Sequence, residues 1–304
     1  MFFMGLKKTV FPEEFVEKYK ELLGSEWETF FSTIQIKQPK AFWLNSHKAN
    51  PKETIPSLEN HGVKINSLPF HELAFGIEYE RPGSLREFEF GKISLQEKAA
   101  MLPAIVLAPK EKDFVLDACA APGMKTIQLS NLMHNKGKII ACDVNSERIK
   151  VLEHNKVKYE LKNVEVKRID FRNLLPEQKE KFDKILLDVP CSSEGLVRKN
   201  RDALRDWDGK LVERKAKTQK ELIVLAFELL KKGGEMVYAT CSFAPEENEE
   251  VVLELLDKFS NAEVLKVEIK GVKIRGNKNC ENCVRLYPQD NDTQQFFFAK
   301  IRKN

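Results

Sequence analysis

Two cysteines carry most of the chemical information in this 304-residue chain. Cys191 stands in DVPCSS and Cys241 in ATCSF. Each follows a run that reads as a buried strand, FDKILLD (182–188) and GGEMVYAT (233–240). If those strands are neighbours in one sheet, both thiols face one pocket. A thiolate is strongly nucleophilic and also leaves again, which suits reversible covalent attack on a ring. A strand-end thiol beside a helix N-terminus has a lowered pKa. A free cysteine is equally often a small buried hydrophobe. The Asp-Val-Pro-Cys and Thr-Cys-Ser settings, both beside the strand ends described next, favour the reactive reading.

The stretch LDACAAPGMKT (116–126) combines an acid, small residues, a proline and a glycine just before a helix. Small side chains let a ligand approach the backbone, and a helix N-terminus offers unpaired N–H groups. The chain has neither G-x-x-x-x-G-K-[ST] nor G-x-G-x-x-G here, which weighs against nucleoside triphosphates and dinucleotides. Asp143 closes the next apolar run, KIIACD, where an acid accepts hydrogen bonds from ribose hydroxyls. Asp170 follows VEVKRI and is placed to meet an adenine amine. Any one of these acids alone reads equally as a helix N-cap. Together, three successive strand ends describe an adenosine-bearing ligand without a pyrophosphate, S-adenosylmethionine.

These residues need a sheet to align them. From residue 113 strands and helices alternate: DFVLDACA, MKTIQLSNLMH, KIIACD, NSERIKVLEHNKVKYE, VEVKRID, FDKILLD, a long helix over 209–232, GGEMVYAT and APEENEEVVLELLDKF. EVLKVEI (263–269) and QQFFFAKI (294–301) read as closing strands. The alternation predicts an α/β fold with a doubly wound, mainly parallel, seven-stranded sheet, Rossmann-like. Ligands sit at the carboxyl ends of such strands. The first 85 residues read as a smaller α+β domain, with helices over 11–24 and 51–62 and strands near 41–45, 63–70 and 74–80. Residues 86–304 form the larger domain, entered through a helix over 94–108 capped by Ser94 and kinked at Pro103.

The chain resembles the Sun/nucleolar-protein family of RNA cytosine-5 methyltransferases, most strongly from residue 116 to 243. LDACAAPGMKT is similar to that family's methyl-donor loop, with Met124 in place of its second glycine. DVPCSSEG and ATCSF resemble its two cysteine motifs. The resemblance implies a class I methyltransferase fold and transfer of a methyl group from S-adenosylmethionine to carbon 5 of cytosine. It implies that Cys241 is the nucleophile and Cys191 the release residue. It assigns the donor site to Cys119, Ala120, Ala121, Pro122, Gly123, Met124, Lys125, Asp143, Arg148, Asp170 and Asp188. A protonated Asp188, its pKa raised by burial, would also hydrogen-bond the cytosine N3 and amine. Arg148 reads equally as a solvated helix residue. An exocyclic-nitrogen methyltransferase would carry an Asn/Asp-Pro-Pro-aromatic motif where DVPC stands. A catalytically silent RNA-binding scaffold would not need both cysteines.

Lys+Arg exceed Asp+Glu by only 50 to 46, so the overall charge permits RNA without demanding it. Local basic runs at 197–220 and 266–279 are read as phosphate-binding, with Arg198 and Lys199 nearest the target nucleotide. The target base must leave its stack to reach two thiols. The first 110 residues are charge-balanced, 14 basic against 14 acidic, and either orient RNA by shape or pack on the larger domain. tRNA is the favoured partner and ribosomal RNA the second choice. The terminal MFFMGLKK is too short for a secretory signal, and no apolar run reaches the ~20 residues of a membrane span. A cytoplasmic monomer is expected. Cys280 and Cys283 in NCENC read as a turn; one C-x-x-C falls short of a zinc site, so no metal is expected.

Overall fold

The computed structural model describes residues 11–174, 178–277 and 280–304; MFFMGLKK and Lys278 lie outside them. The chain opens with α1 (Glu13–Leu23) and α2 (Trp27–Ile34). Phe15 and Tyr19 of α1, and Trp27, Phe30 and Ile34 of α2, recur at helical spacing and are buried. Their partners are distant in sequence: Val197, Leu204, Trp207 and Phe243 complete the same apolar cluster.

β1 (Lys40–Leu44), α3 (Pro51–Asn60), β2 (Lys64–Ser67), β3 (Ala74–Glu78), the one-turn α4 (Arg86–Glu89) and β4 (Ile93–Leu95) follow. The four strands form one antiparallel sheet in the order β2-β3-β1-β4. Ser94, expected to cap a helix, lies instead in β4 opposite Trp43. The cap of α5 (Lys98–Leu107) is Glu97, whose carboxylate accepts from the amides of Ala99 and Ala100.

The larger sheet is built from β5 (Phe114–Asp117), α6 (Met124–Leu132), β6 (Lys138–Asp143), α7 (Ser146–Lys158), β7 (Val164–Arg168), β8 (Phe182–Asp188), α8 (Gly209–Leu229), β9 (Leu230–Thr240), α9 (Glu249–Lys258), β10 (Ala262–Leu265), β11 (Arg275–Asn277), β12 (Cys280–Leu286), α10 (Pro288–Asn291) and β13 (Phe296–Lys303). Its order is β11-β12-β13-β9-β8-β5-β6-β7, with β10 beside β13. The five strands from β9 to β7 are parallel and the rest antiparallel. Helices cover both faces: Val115 and Leu186 face the side of α5 and α6, while Leu116 and Leu187 face α8 and α9. This is the expected doubly wound, mainly parallel architecture.

The sheet has nine strands where seven were expected. The hairpin β11–β12 accounts for the difference. The described part of NCENC, Cys280 to Cys283, is not a turn: Cys280 opens β12 and is disulfide-bonded to Cys283 within that strand. The closing strand expected over 263–269 is confined to Ala262–Leu265. Among the described residues no helix is long and apolar enough to cross a membrane, and no cluster of three His, Cys, Asp or Glu side chains is arranged to hold a metal.

The two sheets share a core. Trp43 Nε1 donates to Asn131 Oδ1 at 2.8 Å, and Asn131 Nδ2 donates to Asn45 Oδ1 at 2.8 Å, all buried. Phe42, Trp43 and Ile93 belong to the same cluster as Ile127 and Leu152.

Candidate active site

Strand order reverses beside β5, since β6 and β7 continue on one side and β8 and β9 on the other. A crevice opens at the carboxyl ends there, as the topology requires. It is a cavity of about 540 Å³. Its lining includes Asp117, Cys119 to Pro122, Met124, Lys125, Arg148, Asp188, Cys191, Lys199 and Cys241.

The turn after β5 is shaped by its small residues. Gly123 has φ +105°, and a Cβ there would lie 2.5 Å from Leu152 of α7. Only glycine satisfies both the left-handed backbone and the close helix packing. Its neighbour Met124 opens α6 and takes a contact from Ser94 Oγ at 3.2 Å on its sulfur, so its side chain packs toward β4 rather than across the loop backbone. Burial raises the Cys119 thiol pKa, and nearby carboxylates raise it further. Cys142 is a buried core thiol, pushed up to about 12 chiefly by desolvation.

Cys191 and Cys241 converge. β8 and β9 pair in parallel with Asp188 opposite Ala239, and Val189 N donates to Ala239 O at 3.1 Å. That register carries the two following turns to the same height, and the two Sγ atoms lie 3.1 Å apart. Both residues are half-buried. The contact with Cys191 raises the Cys241 pKa most, burial adds to it, and the Lys125 charge opposes. Both the contact and burial favour the neutral thiol at Cys241.

Lys125 Nζ donates to Asp188 Oδ2 at 2.6 Å. Burial disfavours the Lys125 charge, but the Asp188 and Asp117 carboxyls more than offset it and hold the ammonium above its ordinary range. Asp188 was expected as a neutral acid; the structure pairs it with Lys125 and leaves its side chain 30% exposed. The neighbouring acid, Asp117, is the one that burial pushes up, to about 7, against a hydrogen bond donated by Thr126 Oγ1 at 2.7 Å.

Asp143 is buried at the end of β6, accepts from Asn145 N and lies 3.3 Å from the Arg148 guanidinium, which also reaches the Ala121 carbonyl. Arg148 is thus no free helix residue. Asp170 stands off the cavity, bound by Arg172, whose charge holds its carboxyl below the usual range.

Arg198 does not face a nucleotide. Its side chain is 1% exposed and donates to the carbonyls of Ile36 and Thr293 and to Asp292. A guanidinium has five donors to satisfy, and this one ties α2 to the turn before β13. Lys199, its neighbour, is exposed at the cavity rim. The 266–279 run is largely neutralised, with Lys266 on Glu268, Lys273 on Asp290, and Arg275 on Glu26 and Asp290.

Sequence reasoning missed Asp117, quoted in its motif but given no place in the site. It also missed Gln96, Glu97, Lys215, Gln294 and Phe296, which wall the cavity from distant elements. An acid ending the first parallel strand is a local signal for Asp117. The others carry none.

A small-residue loop, a strand-order switch and a cavity at the strand ends define the class I methyltransferase architecture. Residues 104–302 match the family described as 16S rRNA methyltransferase RsmB/F, and residues 11–98 match the N-terminal domain of 16S rRNA methyltransferase RsmF. The chain belongs to the RsmB/F family. It is 36% identical over 308 residues to ribosomal RNA small subunit methyltransferase F of Vibrio campbellii, covering 96% of this chain and 63% of that protein. It is 35% identical over 309 residues to tRNA (cytosine(49)-C(5))-methyltransferase of Pyrococcus abyssi, covering 96% of both. A solved methyltransferase homologue from Pyrococcus horikoshii superposes with a TM-score of 0.85 at 31% identity, over 95% of this chain and 94% of the other.

Proposed function

We propose that this chain transfers a methyl group from S-adenosylmethionine to carbon 5 of a cytosine in RNA. The observation that carries the reading is the convergence of two thiols 3.1 Å apart at the lip of one cavity beside Lys125 and Asp188.

The cavity fits the donor in charge. Asp117, Asp143 and Asp188 gather around the loop against Lys125 and Arg148, a set suited to a cationic ligand. Asp143 would hold the ribose hydroxyls and Asp170 the adenine amine, once Arg148 and Arg172, each about half exposed, turn outward. Cys119 to Lys125 would line the donor, which supplies an electrophilic methyl when bound.

Cytosine carbon 5 is too weak a nucleophile to take that methyl unaided. Cys241 Sγ gives its proton to solvent through the open cavity, and the thiolate adds to carbon 6, which moves electron density onto carbon 5. Asp188 accepts from the cytosine amine while the Lys125 ammonium steadies negative charge on the ring. Uracil would set an oxygen against the Asp188 carboxylate, and an unpaired charge there rejects it. After methylation Cys191, ionised by loss of its own proton to solvent, takes the carbon-5 proton; the freed electron pair restores the 5,6 double bond and Cys241 leaves as the thiolate. Lys199 and Lys215 at the rim would take backbone phosphates. The N-terminal unit, up to about residue 85, would orient the RNA while packing on the larger domain. Of the two RNA classes in the relatives' names we favour tRNA, because the Pyrococcus tRNA enzyme has a counterpart here for 96% of its length.

The test uses tRNA and small-subunit rRNA transcripts with bisulfite sequencing. Cys241→Ala abolishes methylation while donor binding survives. Cys191→Ala accumulates a denaturant-resistant protein–RNA adduct that Cys241→Ala does not form. Full activity of Cys241→Ala, or no adduct with Cys191→Ala, refutes the mechanism; methylated rRNA and untouched tRNA refute the substrate choice.

A further inference from the structure

Behind the two cysteines lies a buried polar cluster that the proposed chemistry does not use. Ser192 and Ser242, the residues following Cys191 and Cys241, turn inward and meet two glutamates, Glu194 and Glu247. All four are buried, and the two glutamates are 0% exposed. Ser193 between them has a left-handed backbone, φ +63°, which turns the chain so that Glu194 points inside. Glu247 accepts from the amide of Ser192 at 3.0 Å and from Gln219 Nε2 at 2.7 Å. Among the described residues no lysine or arginine bonds to either carboxyl; Lys18 is paired with Glu246, and Arg285 with Glu249.

Counting protons shows what this cluster must hold. Ser192 Oγ lies 2.8 Å from Glu194 Oε1 and 3.1 Å from Ser242 Oγ. Ser242 Oγ lies 2.9 Å from Glu194 Oε1 and 2.7 Å from Glu247 Oε1. Four oxygen–oxygen contacts share only two hydroxyl hydrogens. With both carboxyls ionised, two contacts would set lone pair against lone pair in a water-free site. A proton on Glu194 Oε1, donated to Ser242 Oγ, satisfies a third and leaves only the longest unbonded. Two buried carboxylates sharing one site cannot both ionise cheaply.

We propose that Glu194 is a positioning residue, kept as a neutral carboxylic acid whose hydrogen bonds hold the Cys191 and Cys241 turns together. Its ionisation loosens the thiol pair. The role in methyl transfer rests on the reaction proposed above; the geometry does not. Other titratable groups face the carboxyl: Tyr19 from α1, Glu247 and beyond it Glu246 from the turn after β9. Tyr238 of β9 touches the cluster through the Glu247 carbonyl, to which its hydroxyl donates at 2.6 Å. The acids all add negative charge, and burial pushes Glu194 up to about 7. Neutral pH is therefore where the lock is most sensitive.

Two measurements need no RNA. Infrared difference spectra of the whole chain should show buried carboxylic C=O intensity at pH 6 that fades as pH rises, and Glu194→Gln should lose the Glu194 part of it while keeping the part from Asp117 and Glu97. Diamide should join Cys191 to Cys241, mapped by peptide mass. At pH 6 Glu194→Gln should react within about twofold of wild type, while Glu194→Leu slows by about tenfold or more, the scale of a sub-ångström misplacement. Should Glu194→Leu not fold, Ser242→Ala removes the same link and should slow equally. An infrared band unaltered in Glu194→Gln, or unchanged crosslinking in Glu194→Leu and Ser242→Ala, overturns the proposal. Methylation against pH is the third arm: Glu194→Gln keeps at alkaline pH the activity that wild type loses. Crosslinking as expected with no methylation of any RNA would refute the proposed reaction and leave the lock standing.

Discussion

Gly195 offers a way to move one thiol by a known amount. Its amide donates to the Cys241 carbonyl at 2.8 Å, so the turn after β8 is stitched to the turn after β9 at the proposed nucleophile. A Cβ at this position would lie 2.3 Å from the Cys241 carbonyl oxygen and 2.8 Å from that of Gln295. Both are backbone atoms and cannot rotate aside. Reaching even 3.0 Å requires a shift of about 0.7 Å, and ordinary contact more than 1 Å. Misplacement of a reacting group by ~1 Å lowers a rate by ~10²-fold, or about 2.7 kcal/mol in the barrier. Gly195→Ala should therefore cut the single-turnover methylation rate by about 10²-fold. Donor affinity, measured by calorimetry, should stay within about twofold, because the donor loop sits on β5 and α6. Overpacking should lower stability by about 1–3 kcal/mol. Gly83→Ala serves as the control, since its nearest neighbour would be Leu95 at 4.0 Å. A Gly195→Ala enzyme with wild-type rate would show that the spacing of the two turns does not limit the chemistry.

Arg198 and Lys199 should separate cleanly although they are adjacent. Arg198→Ala should lower stability by roughly 2–3 kcal/mol in denaturant titrations, because buried carbonyls lose their donors; the salt dependence of RNA binding should not change. Lys199→Ala should leave stability within ~0.5 kcal/mol and reduce the slope of log affinity against log salt by about 1; the opposite pattern would reverse the placement of the two. Glu97, raised from 4.5 to about 7 by burial against three amide hydrogen bonds, supplies a pH test. Its folded-state pKa lies above the unfolded one, so its contribution is full below about 4.5 and lost as pH climbs to about 7. Between pH 4 and pH 8, Glu97→Gln should gain on the order of 3 kcal/mol relative to wild type in thermal or urea unfolding. A constant difference across that range would refute the buried-acid reading.

The cysteine pair was legible because motif and strand are contiguous in the sequence, and parallel pairing of β8 with β9 does the rest. The donor loop was legible for the same reason. Arg198 was misread because nothing local distinguishes a cation that meets solvent from one that meets three oxygens of elements 95 and 162 residues away. β12 was hidden by Glu281 and Asn282, two exposed polar residues that interrupt its apolar pattern. Glu194 and Glu247 each look like surface acids until both turns are in place. The pairing of Asp188 with Lys125 was hidden because the two stand 63 positions apart.

β4 bears on how this fold can be dissected. It is an edge strand of the small sheet, yet Leu95 at its end, with Gln96 and Glu97 beyond it, walls the larger sheet's cavity. Excising the small unit by a cut at the start of α5 would therefore remove a side of the binding chamber, not a detachable accessory. A minimal catalytic fragment cut from the Rossmann-like half alone would leave the Trp43–Asn131 seam raw and its cofactor niche open to water. Engineering that swaps RNA-docking modules between relatives should place the splice upstream of β1 and carry β1 and β4 with the acceptor.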